Sequence, residues 1–121
     1  MVGARRATRY GCRMAHAIAR RLAAGGVPVI SGLAYGIDRA AHDGALQSGS
    51  TAAVLAGGLD RVYPNRHRAL FERLAAEHCV ISEYPPGVAA LPRHFPVRNR
   101  IITGMTNATI VVEADERSGS P

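Results

Sequence analysis

The feature that most constrains this chain is an alternation. Short runs of β-branched and apolar residues are separated by longer segments of helical periodicity, with glycines at the junctions. Val27 to Ser31, Thr51 to Leu55, Cys79 to Ser82 and Ala108 to Glu113 read as strands. Between them, Met14, Ile18 and Leu22 recur every fourth residue within Tyr10 to Ala24, and Leu70, Phe71, Leu74 and Ala75 form one stripe within Asn65 to Glu77. An alanine-rich helix is expected from Ile37 to about Gln47, able to approach the sheet closely. Strands that alternate with helices fold as an α/β domain with a mostly parallel sheet flanked by helices.

The 121 residues make one domain with a single site rather than two. Hydrophobic residues at 47% against 20% charged place the chain among globular proteins rather than disordered ones. Both ends read as cut. Met1 and Val2 are too little for the first strand of a doubly wound sheet, and Pro121 falls where another helix should begin. The expectation is a fragment whose first strand and C-terminal part are incomplete. No apolar run approaches a membrane span, and no secretory signal is apparent, so the reading is cytoplasmic with no membrane partner. Cys12 and Cys79 have neither the spacing of a zinc site nor that of a disulfide framework.

All fifteen basic residues are arginine, against nine acidic residues, for a net charge of +6. A coding bias that replaces lysine accounts for this as well as function does. The functional account is that the guanidinium fork suits phosphate and base stacking, and a pI near 10.3 suits an anionic partner.

Three junctions are glycine-rich or basic: Gly3 to Arg6, Ser31 to Asp38, and Gly57 to Asp60. In an open α/β sheet such loops gather at the carboxyl edge of the strands, where glycine N–H groups can face an anion. The plainer reading is tight turns requiring positive φ, with Asp38 as a helix cap. The densest constellation runs from Arg93 to Ile102. Pro96 suits the first turn of a helix on which Val97, Ile101 and Met105 would form the buried face. Phe95, on the loop before it, offers a ring for a base, or is simply a core side chain. Arg98 and Arg100 lie about 200° apart around a helix, so one pocket cannot take both unless the backbone is irregular. One of them is expected to be structural, paired with a buried carboxylate such as Glu113.

Catalytic patterns are missing. The histidines form no ligand pair beside an acidic base, no serine sits in a nucleophile elbow, and a Walker A loop is impossible without lysine. His42 reads as a helix residue satisfied by a neighbour.

These segments together carry a resemblance: Gly3-Ala4-Arg5, Thr8 to Gly11, Ser31-Gly32-Leu33-Ala34-Tyr35-Gly36-Ile37-Asp38, Ala41-His42, Val54 to Asp60, Val62-Tyr63-Pro64, Ser82 to Gly87, His94-Phe95-Pro96 with Arg98-Asn99-Arg100-Ile101-Ile102, and Val111 to Ala114 through Arg117 to Ser120. In order along nearly the whole chain, they closely resemble the DNA-processing protein A (DprA/Smf) family. The resemblance implies a Rossmann-like three-layer sandwich that binds single-stranded DNA, protects it, and helps load the RecA recombinase during natural transformation, without being an enzyme. It implies a DNA site built from Arg5, the backbone of Gly32, Leu33, Ala34 and Gly36, and Arg93, His94, Phe95, Arg98, Asn99 and Arg100, with no cofactor and no metal. Members of the family continue beyond Ser118-Gly119-Ser120 into segments that contribute to homodimerisation and recombinase contact. The alternative is a nucleotide-binding or nucleotide-hydrolysing enzyme similar to the phosphoribohydrolases, whose Pro-Gly-Gly-x-Gly-Thr loop is replaced here by Gly57-Gly58-Leu59-Asp60. A small-phosphate sensing domain is a third reading.

Overall fold

The computed structural model describes residues 1–114. The segment Arg117 to Ser120, part of the family resemblance, lies outside the described residues. In chain order come β1 (Val2–Gly3), α1 (Arg9–Ala24), β2 (Val29–Ser31), α2 (Ile37–Leu46) and β3 (Thr51–Leu55). A turn of 3-10 helix, Asn65–His67, then leads into α3 (Arg68–Glu77), followed by β4 (Cys79–Ser82), α4 (His94–Gly104) and β5 (Val111–Val112). Strands β2, β3 and β4 form one parallel sheet in that order, and β1 pairs in parallel with β5. The expected α/β architecture is therefore present. Met1 and Val2 read as too little for a first strand, yet Val2 and Gly3 form a short one by pairing with Val111 and Val112.

Helix α1 starts where Thr8 accepts the Gly11 N–H at 3.0 Å, satisfying one of the donors every helix N-terminus leaves open. It ends at Gly25 and Gly26, the latter at φ +83, a backbone conformation glycine adopts without steric cost. Its buried stripe differs from the one the large apolar residues suggested. Gly11, Ala15, Ala19 and Ala23 face the core, whereas Met14 is exposed and Ile18 and Leu22 are only partly covered. The small residues win because the partner is another helix at very short range. A Cβ on Gly44 of α2 would lie 2.2 Å from the carbonyl oxygen of His16. Ala15, Ala19, Ala23, Ala41 and Ala45 fill the resulting thin layer together with Val29 and Ile37. The alanine-rich helix thus makes its close approach to α1 as well as to the sheet.

A second cluster packs α3 on the sheet through Leu70 and Leu74 against Leu33, Ala53 and Leu55. Phe71 is partly buried there, but Ala75 of the expected stripe is exposed. On the other side, Ile102 of α4 packs with Val2 and Val54. Helix α4 also inverts its expected face. His94, Phe95, Arg98 and Ile102 are buried, while Val97 and Met105 are exposed. The reason is that polar groups of the strand ends lie beneath this helix, so its inner face must supply donors, which valine and methionine cannot.

Replacing Gly44 with alanine separates intrinsic helix preference from packing. Alanine is the better helix former by about 1 kcal/mol, yet its Cβ would collide with backbone. We expect Gly44→Ala to lower unfolding free energy by about 1–3 kcal/mol, as overpacking does, measured by urea denaturation. A gain in stability would show that α1 and α2 can separate freely.

Candidate nucleic-acid interface

The site is organised around the loop from Ser31 to Gly36, between β2 and α2. Its backbone is locked from every side. Asp38, in the first turn of α2 but pointing back beneath the loop, accepts the N–H groups of Gly32 (3.0 Å) and Ala34 (3.4 Å). His42, one turn further, accepts the Leu33 N–H at Nε2 (3.2 Å). Its proton is therefore on Nδ1, which donates to Thr51 Oγ1 at 2.8 Å, and the Thr51 hydroxyl passes on to the Val29 carbonyl at 2.7 Å. His67 Nδ1 donates to the Leu33 carbonyl at 2.7 Å, with the Tyr35 ring edge-on against its imidazole. This bracing holds Leu33, a residue with a Cβ, at φ +63, where the local steric penalty must be offset by surrounding contacts.

Asp38 is therefore not the helix cap that its position suggested. The N-cap of α2 is Gly36 at φ +77, where no side chain caps the helix. A Cβ at Gly36 would lie 2.5 Å from the Ala4 carbonyl and 2.6 Å from that of Arg5, so glycine is required on both conformational and steric grounds. The sequence also suggested that glycine amides face a bound anion. Those of Gly32, Leu33 and Ala34 are instead consumed internally, and Gly58 N–H donates to the Val88 carbonyl at 2.8 Å. The Gly57–Gly58 turn is covered by the segment following β4, with Asp60 accepting the Gly87 N–H at 2.8 Å.

Arg98 closes the arrangement from α4. Only 3% exposed, it donates through Nη1 to the carbonyls of Gly32 (2.8 Å) and Val54 (2.7 Å), and through Nε to Asn99 Oδ1 (3.0 Å). A Cβ at position 32 would lie 2.5 Å from the guanidinium carbon, so a larger residue there would force the buried Arg98 head group to shift. Burial pushes the Arg98 pKa down and the charge of Asp38 pushes it back up, while burial pushes the Asp38 carboxyl up and Arg98 lowers it. A guanidinium does not lose its proton in proteins, so Arg98 is a fixed buried cation with Asp38 as its electrostatic partner.

The expectation that one arginine is structural is met by Arg98, but its carboxylate is Asp38, not Glu113. Glu113 is exposed and instead accepts from Thr8, at the N–H (2.7 Å) and through a short contact from the hydroxyl, holding the start of α1. Arg100 points the other way, exposed, and pairs with Glu83. The half-turn between the two arginines is therefore real.

Phe95 is in the first turn of α4, not on the loop before it, and is 8% exposed. Arg5 lies over its ring with Cζ 4.4 Å from the centroid, and Arg98 lies 5.4 Å away. Both cations thus share one aromatic ring, an arrangement worth about 0.5–2 kcal/mol per cation depending on desolvation. The exposed ring at this place is Tyr63, 46% accessible and 5.7 Å from Phe95. Sequence reading gave Tyr63 no role, although it lies in the Val-Tyr-Pro segment of the family pattern. His94 is buried, with Nδ1 2.9 Å from the Ala56 carbonyl and its ring stacked on Tyr84 at 4.3 Å. Arg93 is exposed just before the helix. The structure therefore brings Arg5, Phe95 and Arg98 together, leaves Arg93 and Arg100 on the surface, uses His94 to tie α4 to the Ala56 carbonyl, and sets Asn99 against the Arg98 guanidinium.

An α/β domain with parallel strands, and with Arg5 and Arg98 gathered on the Phe95 ring beyond their carboxyl ends, defines the class of protein. Over residues 1–121 the chain matches the family model described as DNA recombination-mediator protein A, and it belongs to that family. It is 50% identical to a putative DNA processing protein DprA of Mycobacterium tuberculosis, over 99% of this chain and 31% of that protein. It is 46% identical to protein Smf of Synechocystis, over 99% of this chain and 30% of that protein. The chain thus spans about a third of the length of these relatives. Among solved structures, it superposes on DNA processing protein A of Streptococcus pneumoniae with a TM-score of 0.89 at 42% identity, covering 98% of this chain and 42% of that one. DNA processing protein A of Helicobacter pylori, described for its single-stranded DNA binding mode, gives 0.88 at 32% identity, covering 98% and 54%. The Rossmann-like fold expected from the family resemblance is confirmed by these superpositions.

Two outcomes follow from the buried charges. Arg98→Ala would strand Asp38 and leave two carbonyls without donors. It should cost about 3–5 kcal/mol, whereas Arg100→Ala, which breaks an exposed pair, should cost less than about 1 kcal/mol. Urea unfolding of the two variants gives the comparison, and equal losses would refute the buried role of Arg98.

The second outcome concerns pH. Burial, helped by nearby positive charge, lowers the His42 pKa to about 3. The unfolded chain takes up that proton near 6.5, so below about 6.5 the unfolded state binds more protons and stability falls until about pH 3. Asp38, whose carboxyl is raised, acts in the opposite sense. Between pH 7 and pH 5, His42→Asn, which keeps an acceptor for Leu33, should abolish about 2 kcal/mol of the loss seen in the unaltered chain. The same pH slope in both proteins would exclude His42 as its source.

Proposed function

We propose that this domain is the single-stranded DNA-binding part of a DNA-processing protein, working by binding and not by catalysis. The observation that carries the proposal is the placement of Arg5. Arg5 is exposed, with its guanidinium carbon 4.4 Å from the centroid of the Phe95 ring and the buried cation of Arg98 on the same ring. A planar cation fixed in this way offers a phosphate two donors and offers a base a stacking face. Arg98 adds field from below without needing to touch the ligand. Tyr63 supplies an exposed ring beside them, which suits the sequence-tolerant stacking of single strands. Arg93, exposed at the start of α4 two residues before Phe95, adds positive charge to this end of the helix.

The single-stranded DNA binding attributed to the Helicobacter pylori relative supports this reading. Gly32, Leu33, Ala34 and Gly36 enter it as the rigid support of the cleft rather than as amide donors to phosphate. His94 enters it as a support of α4, Asn99 as a partner of the Arg98 guanidinium, and Arg100 as a peripheral charge. For the whole protein we extend the proposal to a cytoplasmic role in which RecA loading and homodimerisation draw on the parts of the relatives this chain does not cover. Nucleotide hydrolysis is the less favoured reading, because the Gly57–Gly58 turn is covered and the carboxylate of Asp60 is already engaged.

Fluorescence anisotropy with a labelled oligothymidine tests the proposal. Binding should prefer the single strand to the duplex and weaken with salt, with a log–log slope of about −0.7 per phosphate contacted. Arg5→Ala should weaken binding and flatten that slope by about 0.7, and Tyr63→Ala should cost about 1–3 kcal/mol of affinity. Arg5→Ala binding as tightly as the unaltered chain, at every salt concentration, would refute the cleft as the site.

A further inference from the structure

Outside the cleft, a shallow groove of about 680 Å³ runs between α1 and α2. Arg9 and Arg13 rim it from α1 and Arg39 from α2, and its floor includes Cys12, Gly36 and Ala40. Its volume is in the range of ligand pockets. Arg39 is tethered to Asp43 at 2.9 Å. Arg9 and Arg13 are exposed and, among the described residues, make no ion pair.

The arrangement is locally unfavourable. Arg9 and Arg13 are one turn apart, so their like charges repel; the dipole at the start of α1 is already met by the Glu113 carboxylate at Thr8. An anion bound between the two arginines relieves their repulsion. An apolar floor with a cationic rim is also the chemistry of a nucleotide in a strand, which pairs a flat, weakly polar base with a charged backbone. A free inorganic anion would not use the floor.

The groove adjoins the loop that carries Arg5. Gly36 forms part of its floor and is also the residue packed directly on the Ala4 and Arg5 carbonyls. His67 lines the groove and carries Tyr35, an exposed ring, on its edge. A strand leaving Arg5 past Tyr35 enters the groove where, among the described residues, the nearby carboxylates are Asp43, paired with Arg39, and Glu113, engaged by Thr8.

We infer that the α1–α2 groove is a second subsite for the same single strand, binding nucleotides beyond those held at Arg5, with Arg9 and Arg13 as phosphate contacts. The inference rests on the proposed DNA-binding reading of the cleft. Its signature is dependence on strand length. The test uses oligothymidines of about four and about twelve nucleotides, the unaltered chain, Arg5→Ala, the double variant Arg9→Ala/Arg13→Ala, and Arg20→Ala/Arg21→Ala as a control that removes equal charge from the far end of α1.

For the longer strand, the groove variant should bind several-fold more weakly, with a salt slope flatter by about 1.4, two contacts at about 0.7 each. It should bind the shorter strand as the unaltered chain does. Arg5→Ala should weaken both strands, and the control variant neither. Unchanged binding of the longer strand by the groove variant overturns the subsite while leaving the Arg5 cleft standing. Equal loss at both lengths, or an equal loss in the control, also overturns it, because net charge alone then accounts for the effect. Arg5→Ala without effect on either strand would instead mark the failure of the cleft reading. Thermal melting of each variant confirms that these exposed substitutions leave the fold intact.

Discussion

The rest of the site depends on the buried cation of Arg98. It joins three elements that are distant in sequence: the loop after β2 through the Gly32 carbonyl, the end of β3 through Val54, and α4, from which it comes. A buried guanidinium is costly unless each donor is directed and a counter-charge is near. The two carbonyls, Asn99 and the field of Asp38 provide this. Because Asp38 also accepts from Gly32 and Ala34, the counter-charge and the loop geometry are one system. A change at Arg98, Asp38 or Gly32 would therefore reach the other two.

This rigidity has a functional side. The backbone of the Ser31–Gly36 loop is held by Asp38, His42, His67 and Arg98, so little of it remains to bond a ligand. What it gains is position. Gly36 meets the Gly-Ala-Arg loop at backbone contact distance, and that contact fixes where Arg5 emerges. The recognition surface we propose then consists of side chains on a stiff support, which lowers the ordering cost of binding. Arg5 over Phe95, with Tyr63 beside it, is such a surface. The rim of α1 and α2 extends the same basic character around Gly36.

Much of this was legible in the sequence. The strands Thr51–Leu55 and Cys79–Ser82 coincide with the expected runs, because short β-branched segments bounded by turn residues have few alternatives. The separation of Arg98 from Arg100 followed from helix geometry alone, and the structure places them on opposite sides of α4. Other readings failed for identifiable reasons. The buried faces of α1 and α4 were assigned to their largest apolar side chains, yet α1 buries alanines because α2 is so close, and α4 buries Arg98 because carbonyls await it. Asp38 looked like a cap, and Glu113 like a partner for arginine. Each choice depends on what lies opposite in space, which spacing along a chain does not encode.

By itself, then, the sequence determined the alternation of elements, the glycine junctions, the excess of arginine and the family pattern. These rest on local periodicity and composition, which hold whatever the chain packs against. The tertiary structure alone decided which arginine is buried and which amides are spent. It also decided that Phe95 lies beneath Arg5 while Tyr63 stays exposed. Those outcomes turn on desolvation and on hydrogen-bond partners tens of residues away, such as Val54 for Arg98 and Leu33 for His67. Whether a buried polar group is tolerated is fixed only when its surroundings are complete.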